Sequence, residues 1–543
     1  MNAKAAHPSS AHGLAAPAPE QGVSKAAVML VVTAGLASML EIIDTSIVNV
    51  AIPTMMGNLG ATLDEIGWVV TGYIISNAII LPISGWLGVR FGRRFYYITC
   101  ILLFVAASVA CGLAPNLHTL IVFRVLQGLA GGALLPTSQA LIQEAFPGRS
   151  GLGSALYGMV VIIGPTLGPP LGGYLTDHFG WRMIFNINLP LGLLAAFMAS
   201  LYVTDYKVEK HHEEHHNRMR SAPVDFIGLG LLVTGVGCLQ FLLERGEADD
   251  WFSSHTILLM AVISGICIPA FLWWELKVEH PIVNLRLFKN PALFNGAFLM
   301  ASVGGMLYAL IFFIPIFAQF MLSMNAGQTG NLFMPSAILS GLMMPVIGMQ
   351  LRKRDPRLFI FYGLSCSEIA LFMIAHFSAQ STYWNLFWPL MIRGAGMSSL
   401  FVPINAVVLG QFTGPNLGQA AGIMNLSRQI GGSVGIAVFA TMFKQSQDRV
   451  YAHLVQFISP LNMSFNQWAY SARALGYRFS NEVGMFNANS LLAREAYFRV
   501  QKQAFVVSFD FMMWIMVIVF SLTLIPTFFM HRPEKMGKAM DAH

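Results

Sequence analysis

The chain is expected to be an all-α polytopic membrane protein, on three observations. Of its 543 residues 55% are hydrophobic and only 11% charged; long apolar runs recur along almost the whole chain; and short polar breaks separate them. A helix crossing the hydrocarbon layer needs ~20 mostly apolar residues. Backbone amides in lipid must pair within their own segment, so the runs are helices. Fourteen spans are predicted, near 27–56, 65–87, 95–113, 119–142, 151–175, 183–204, 224–243, 255–275, 293–320, 331–351, 357–377, 385–410, 419–443 and 504–530.

An even number of spans puts both termini on one side, and basic residues say which. Arg90, Arg93 and Arg94 follow the second span; Lys207, Lys210, Arg218 and Arg220 the sixth; Arg352, Lys353, Arg354 and Arg357 the tenth. Those loops are expected in the cytoplasm, whereas 57–64, 114–118 and 378–384 hold no Lys or Arg. Residues 1–24, rich in Ala, Pro, His and Ser, read as a disordered cytoplasmic tail and not a cleaved signal peptide; 531–543 form a second such tail. The long outward loop 444–503 is too long for the charge rule to bind. It is either a partner-binding loop or an idle surface.

The two halves repeat. Pro82-Ile-Ser-Gly85 runs into Arg90 to Arg94, as Pro345-Val-Ile-Gly348 runs into Arg352 to Arg357. Arg124 and Arg393 each precede a Gly/Ala-rich stretch ending at Pro136 and Pro403. Two six-helix bundles, 25–204 and 293–530, follow from this pattern, with 205–292 as an inserted helix pair and its flanking loops. A cavity between two such bundles is a route for a solute.

Glu41 and Asp44 lie three residues apart in the first span, near mid-membrane, where a charge is costly and functional by default. Such a carboxylate can take its proton from whichever side supplies water; alternatively Asn49 or an arginine holds it permanently. Arg124 sits too deep to reach water and keeps its proton, so it needs an acceptor. Asp44 with Arg124 is either a coupling pair or a structural ion pair. Gly164, Gly168 and Gly172, beside Pro165, Pro169, Pro170 and Gly173, form a small-residue groove for close helix approach in a kinked fifth span. Glu368 is a second proton site, a counter-charge for a cationic substrate, or the partner of Arg428. Phe and Met of the ninth span, including Met300, Met306, Phe312, Phe313, Phe317 and Met321, suit an adaptable apolar cavity wall, although most of them are expected to face lipid or the core. Asn49, Gln127, Phe313, Phe317, Gln319, Asn405 and Arg428 are the cavity candidates.

Other chemistries are disfavoured. The net charge of +6 is scattered through short loops without aromatic interleaving, so no nucleic-acid partner is expected. The five cysteines fall in apolar runs without C-x-x-C spacing and read as packing residues. His211 to His216 lie in a polar loop without a rigid scaffold, so no metal is expected. No G-x-x-x-x-G-K-[ST] phosphate loop occurs in the sequence, which argues against nucleotide-driven pumping; GGSVG at 431–435 lies inside an apolar span and HEEHH at 212–216 in a polar loop, so neither forms the G-x-S-x-G elbow or the H-E-x-x-H helix of an enzyme.

The chain resembles the major facilitator superfamily, and within it the fourteen-span EmrB/QacA-type drug:proton antiporters, over essentially its full length after the tail. The matching pieces are LEIIDTSIVNVAIP, GWLGVRFGRR, RVLQGLAGG, GPTLGPPLGG, WRMIFNINLPLG, DFIGLGLLVTGVGCLQFLLERG and RQIGGSVG. The resemblance implies a major facilitator fold. It implies that Asp44 is the membrane-embedded carboxylate, Arg124 the motif arginine of proton transfer, Gly164 to Gly173 the antiporter motif, and Gly85, Arg90, Gly92, Arg93 and Arg94 the cytoplasmic loop motif. Val89 stands where that loop motif usually carries Asp. The EmrB branch also implies an EmrA-like membrane fusion protein as periplasmic adaptor, with an outer-membrane channel. The expected activity is export of hydrophobic or amphipathic small molecules across the bacterial inner membrane, driven by protons without a cofactor and surrounded by lipid. The rivals are a proton-coupled uptake carrier and a non-transporting receptor or scaffold.

Overall fold

The computed structural model describes residues 24–205, 223–324, 326–378, 380–458, 466–471 and 488–523, with Met463 and Thr527. Most of the 1–24 tail, the His211 to His216 tract, the centre of the 444–503 loop and the 531–543 tail lie outside the described residues.

Each predicted span is a helix or a pair of helices, and no strand occurs among the described residues. In order they are Lys25–Leu59; Leu63–Ile80 with Ser84–Phe91; Arg93–Leu113; Leu117–Gly131 with Leu134–Ala145; Ser150–Phe179; and Met183–Asn186 with Asn188–Tyr202. Phe226–Arg245 and His255–Lys277 form the inserted pair. The second bundle comprises Pro291–Leu322, Ala326–Gln350, Pro356–Ile374, Tyr383–Leu409, Gly414–Val455 and Ala488–Leu522.

Proline acts differently in the two repeats. The second span bends by 60° at the break containing Pro82, where the ring removes a ladder donor. The tenth span passes through Pro345 unbroken, and the fifth stays helical for 30 residues through its three prolines.

Among the described residues twelve spans are individually long and apolar enough to cross a membrane, and the bent second span makes thirteen. The exception is Gly414–Val455, which carries Gln419, Asn425, Arg428 and Gln429. Asn425 and Arg428 are buried against protein rather than lipid, so low hydropathy does not keep this helix from the bundle centre.

That helix also corrects a boundary. The thirteenth span was expected to end at 443 and the last to begin at 504, yet the helices run on to Val455 and back from Ala488. Loss of apolar residues ends the membrane-buried stretch without ending the helix. The ring centroids of Tyr451 and Tyr497 lie 6.4 Å apart, so the two extensions touch as they leave the bundle.

The bundles close against each other at the end bearing Arg90 to Arg94 and Arg352 to Arg357. A β-carbon at Gly85 would lie 2.6 Å from the backbone nitrogen of Gln419, and one at Gly151 2.6 Å from the carbonyl oxygen of Gly348. Buried amides tie the same region. Gln139 donates to Asn405 at 2.7 Å, Asn425 donates to Gln139 at 2.6 Å, and the Tyr157 hydroxyl donates to Asn425 at 3.0 Å. The inserted pair braces the flank between the second and thirteenth spans. Phe241 meets Trp68 at 5.4 Å on one side, while Ser433 donates to Glu244 at 3.0 Å on the other.

Candidate functional site

Asp44 and Arg124 meet inside the first bundle, as the sequence predicts. Arg124 Nη1 lies 2.5 Å from Asp44 Oδ2, and the residues are 1% and 0% exposed. The other carboxylate oxygen accepts from Gln127 at 2.9 Å and from Asn188 at 3.0 Å. Asn188 is oriented in turn by Ser108 at 3.0 Å. Arg124 is held as firmly: its Nε donates to Val69 O at 3.0 Å, Nη1 also donates to Gln127 Oε1 at 2.8 Å, and the guanidinium lies 4.2 Å from the Tyr73 ring centroid. Both charges are neutralised and both carboxylate oxygens bonded, which is how a buried pair avoids the cost of desolvation. Asn49 takes no part; it is exposed and bonds the carbonyl of Thr45 on its own helix.

Glu41 is held differently. Its carboxylate accepts from Asn77 Nδ2 at 2.8 Å and from the backbone N–H of Leu135 at 3.2 Å, and the residue is 3% exposed. Among the described residues no basic nitrogen lies within the 4.0 Å ion-pair distance of it. Arg428 on the second bundle is near enough for its field to act there, but its Nη2 is bonded to Asn425 at 3.1 Å. Glu41 is thus a buried carboxylate held by neutral donors, facing a cation on the opposite bundle.

The fifth-span glycines pack span on span. A β-carbon at Gly164 would lie 2.5 Å from Ile42 Cγ2, one at Gly168 would overlap the Ser46 hydroxyl, and one at Gly172 would lie 2.8 Å from Ile47 Cγ1. Gly173 faces open space. Gly168→Ala is therefore expected to cost about 1–3 kcal/mol through overpacking, while Gly173→Ala is close to neutral. Thermal unfolding in detergent checks this, and equal melting of the two variants would remove the groove from the packing.

At the basic turn Val89 is buried. Arg93 pairs with Glu144 at 2.5 Å and donates to Thr204 O at 3.0 Å, while the Arg94 N–H donates to Asp205 at 3.0 Å. Gly92 has φ +86°, which favours glycine, and Arg90 is half-buried. Glu144 and Thr204 belong to the first bundle, and Asp205 follows it directly.

Several candidates are packed in the core or exposed in the state described. Phe317 packs on Phe377, Phe505 and Phe509 at 5.2, 6.2 and 4.7 Å, and Phe313 on Phe443 at 5.7 Å, so both belong to the second bundle's core. Gln319 is exposed, and Asn405 belongs to the amide network. Glu368 does not pair with Arg428; its Oε1 is buried without a hydrogen-bond partner. Asn77, Asn188, Gln139, Tyr157 and Asn425 were missed as individual residues. The available signal was a polar side chain inside an apolar run, as in YIISNAII and NINLP.

A sequence model of the Major Facilitator Superfamily matches residues 34–436. The chain belongs to this superfamily. Fatty acid resistance protein FarB of Neisseria gonorrhoeae is 33% identical over 455 residues, which is 83% of this chain and 88% of that protein. Multidrug export protein EmrB of Escherichia coli K12 is also 33% identical, over 438 residues, 80% of this chain and 84% of its own length. The human organic anion transporter MFSD10 superimposes with a TM-score of 0.59 at 12% identity, covering 91% of this chain and 99% of that one, a likeness of fold alone. The protein is thus a major facilitator of the integral membrane, with Glu41 and Asp44 buried inside its first helical bundle.

Proposed function

We propose that this major facilitator exports hydrophobic or amphipathic small molecules in exchange for protons across the bacterial cytoplasmic membrane. The basic loops and both termini then face the cytoplasm, and the state described is closed on that side. Relatives named for multidrug export and fatty acid resistance support the direction and kind of cargo.

The observation that carries proton coupling is the contrast between the two acids. Asp44 has a permanent cation, whereas Glu41 has only neutral donors and an arginine on the moving bundle. Rocking that withdraws Arg428 leaves a buried carboxylate without compensation, and such a group is stable only with its proton. Return of Arg428 displaces that proton. Asp44 and Arg124 then form the fixed strut against which Glu41 works. Glu368 is left outside this cycle.

Through the helical extensions at Val455 and Ala488, the exporter would engage an EmrA-like adaptor and an outer-membrane channel. The test is flux in liposomes containing the purified protein alone. Dye is expected to move against its gradient when a pH difference is imposed and to stop when it is collapsed. Binding of dye without such movement would leave a receptor in place of a transporter.

A further inference from the structure

Arg393 is the counterpart of Arg124 in the second bundle, but it is not compensated in the same way. It is 7% exposed, and its Nε and Nη1 are both buried without a hydrogen-bond partner. No Asp or Glu oxygen lies within the 4.0 Å ion-pair distance among the described residues. The Phe333 ring of the tenth span lies 5.8 Å from the guanidinium carbon.

The repeat explains the vacancy. Asp44 precedes Pro53 by nine residues, and nine residues before Pro315 in the ninth span stands Met306. Met306 is buried and carries no charge. The second bundle therefore carries the arginine without an acid at the matching position. A guanidinium cannot shed its proton to escape the cost, and its planar fork matches a carboxylate, sulfonate or phosphate.

We propose that Arg393 is the recognition point for the oxyanion headgroup of an amphipathic substrate, whose apolar tail lies along the Phe333 ring of the tenth span. The substrate's own anion takes the place that Asp44 fills in the first bundle. This rests on the exporter reading for its cargo, but binding can be measured without pumping.

Dodecanoate and dodecanol share a tail and differ in headgroup, so titration calorimetry of both on the purified full chain isolates the headgroup. Wild type is expected to bind dodecanoate more tightly than dodecanol. In Arg393→Met the dodecanoate affinity should fall roughly 10-fold or more, the size of a lost charge-assisted hydrogen bond, while dodecanol affinity shifts little. Arg393→Lys, which keeps the charge and loses the fork, should fall between and serves if the Met variant does not fold. Equal preference for the two ligands in wild type, or equal loss of both in the Lys variant, overturns the proposal. Absence of proton-driven flux beside intact headgroup selectivity would instead count against the exporter reading.

Discussion

Arg124→Met is expected to lower stability by about 3–5 kcal/mol, the cost of leaving one member of a buried ion pair uncompensated. The removed guanidinium takes with it the contacts to Asp44, Gln127 and Val69 O and the stacking on Tyr73. Gln127 and Asn188 remain as neutral donors to Asp44, which softens the loss without replacing a charge. Combining the substitution with Asp44→Asn should recover much of it, because the second change removes the stranded charge. Thermal unfolding of the two single variants and the double variant closes the cycle. If Arg124→Met melts with wild type but transports without proton dependence, the pair is a coupling element and the strut reading is lost.

Glu41→Gln has the opposite profile. A glutamine keeps the shape and can accept from only one of the two donors, Asn77 or Leu135, that the carboxylate satisfies, so stability should fall by only about 1 kcal/mol. It cannot gain or release a proton. Gradient-driven export in liposomes is expected to drop to the rate of protein-free vesicles, while substrate binding and downhill exchange persist. Full pH-driven export in this variant would move proton coupling to another group.

The sequence made the charges visible and left their ranking open. Asp44, Glu41 and Arg124 stand out because charge is rare in apolar runs. What separates the two acids is the cation Arg124 on Asp44 against the neutral donors on Glu41, and the amides that complete each site are distant in sequence: Asn77 for Glu41, and Gln127 and Asn188 for Asp44. Amides in apolar runs carry no charge to reveal their partner. The aromatics of the ninth span leave their role open for a different reason. Helical periodicity places Phe313 and Phe317 on one side of a helix, but a cavity wall and a packed core have the same pattern. Hydropathy likewise puts the expected end of the thirteenth span at 443 and gives no sign that its helix continues to Val455.

That continuity gives the second bundle a lever. From Arg428 to Val455 the helix is unbroken, about 40 Å at 1.5 Å per residue. A tilt of about 10° at the arginine would sweep the far tip through ~7 Å at that same rise. Whatever sits on that tip would therefore feel the charge state of the membrane interior as a mechanical stroke, with no signal passing through solvent.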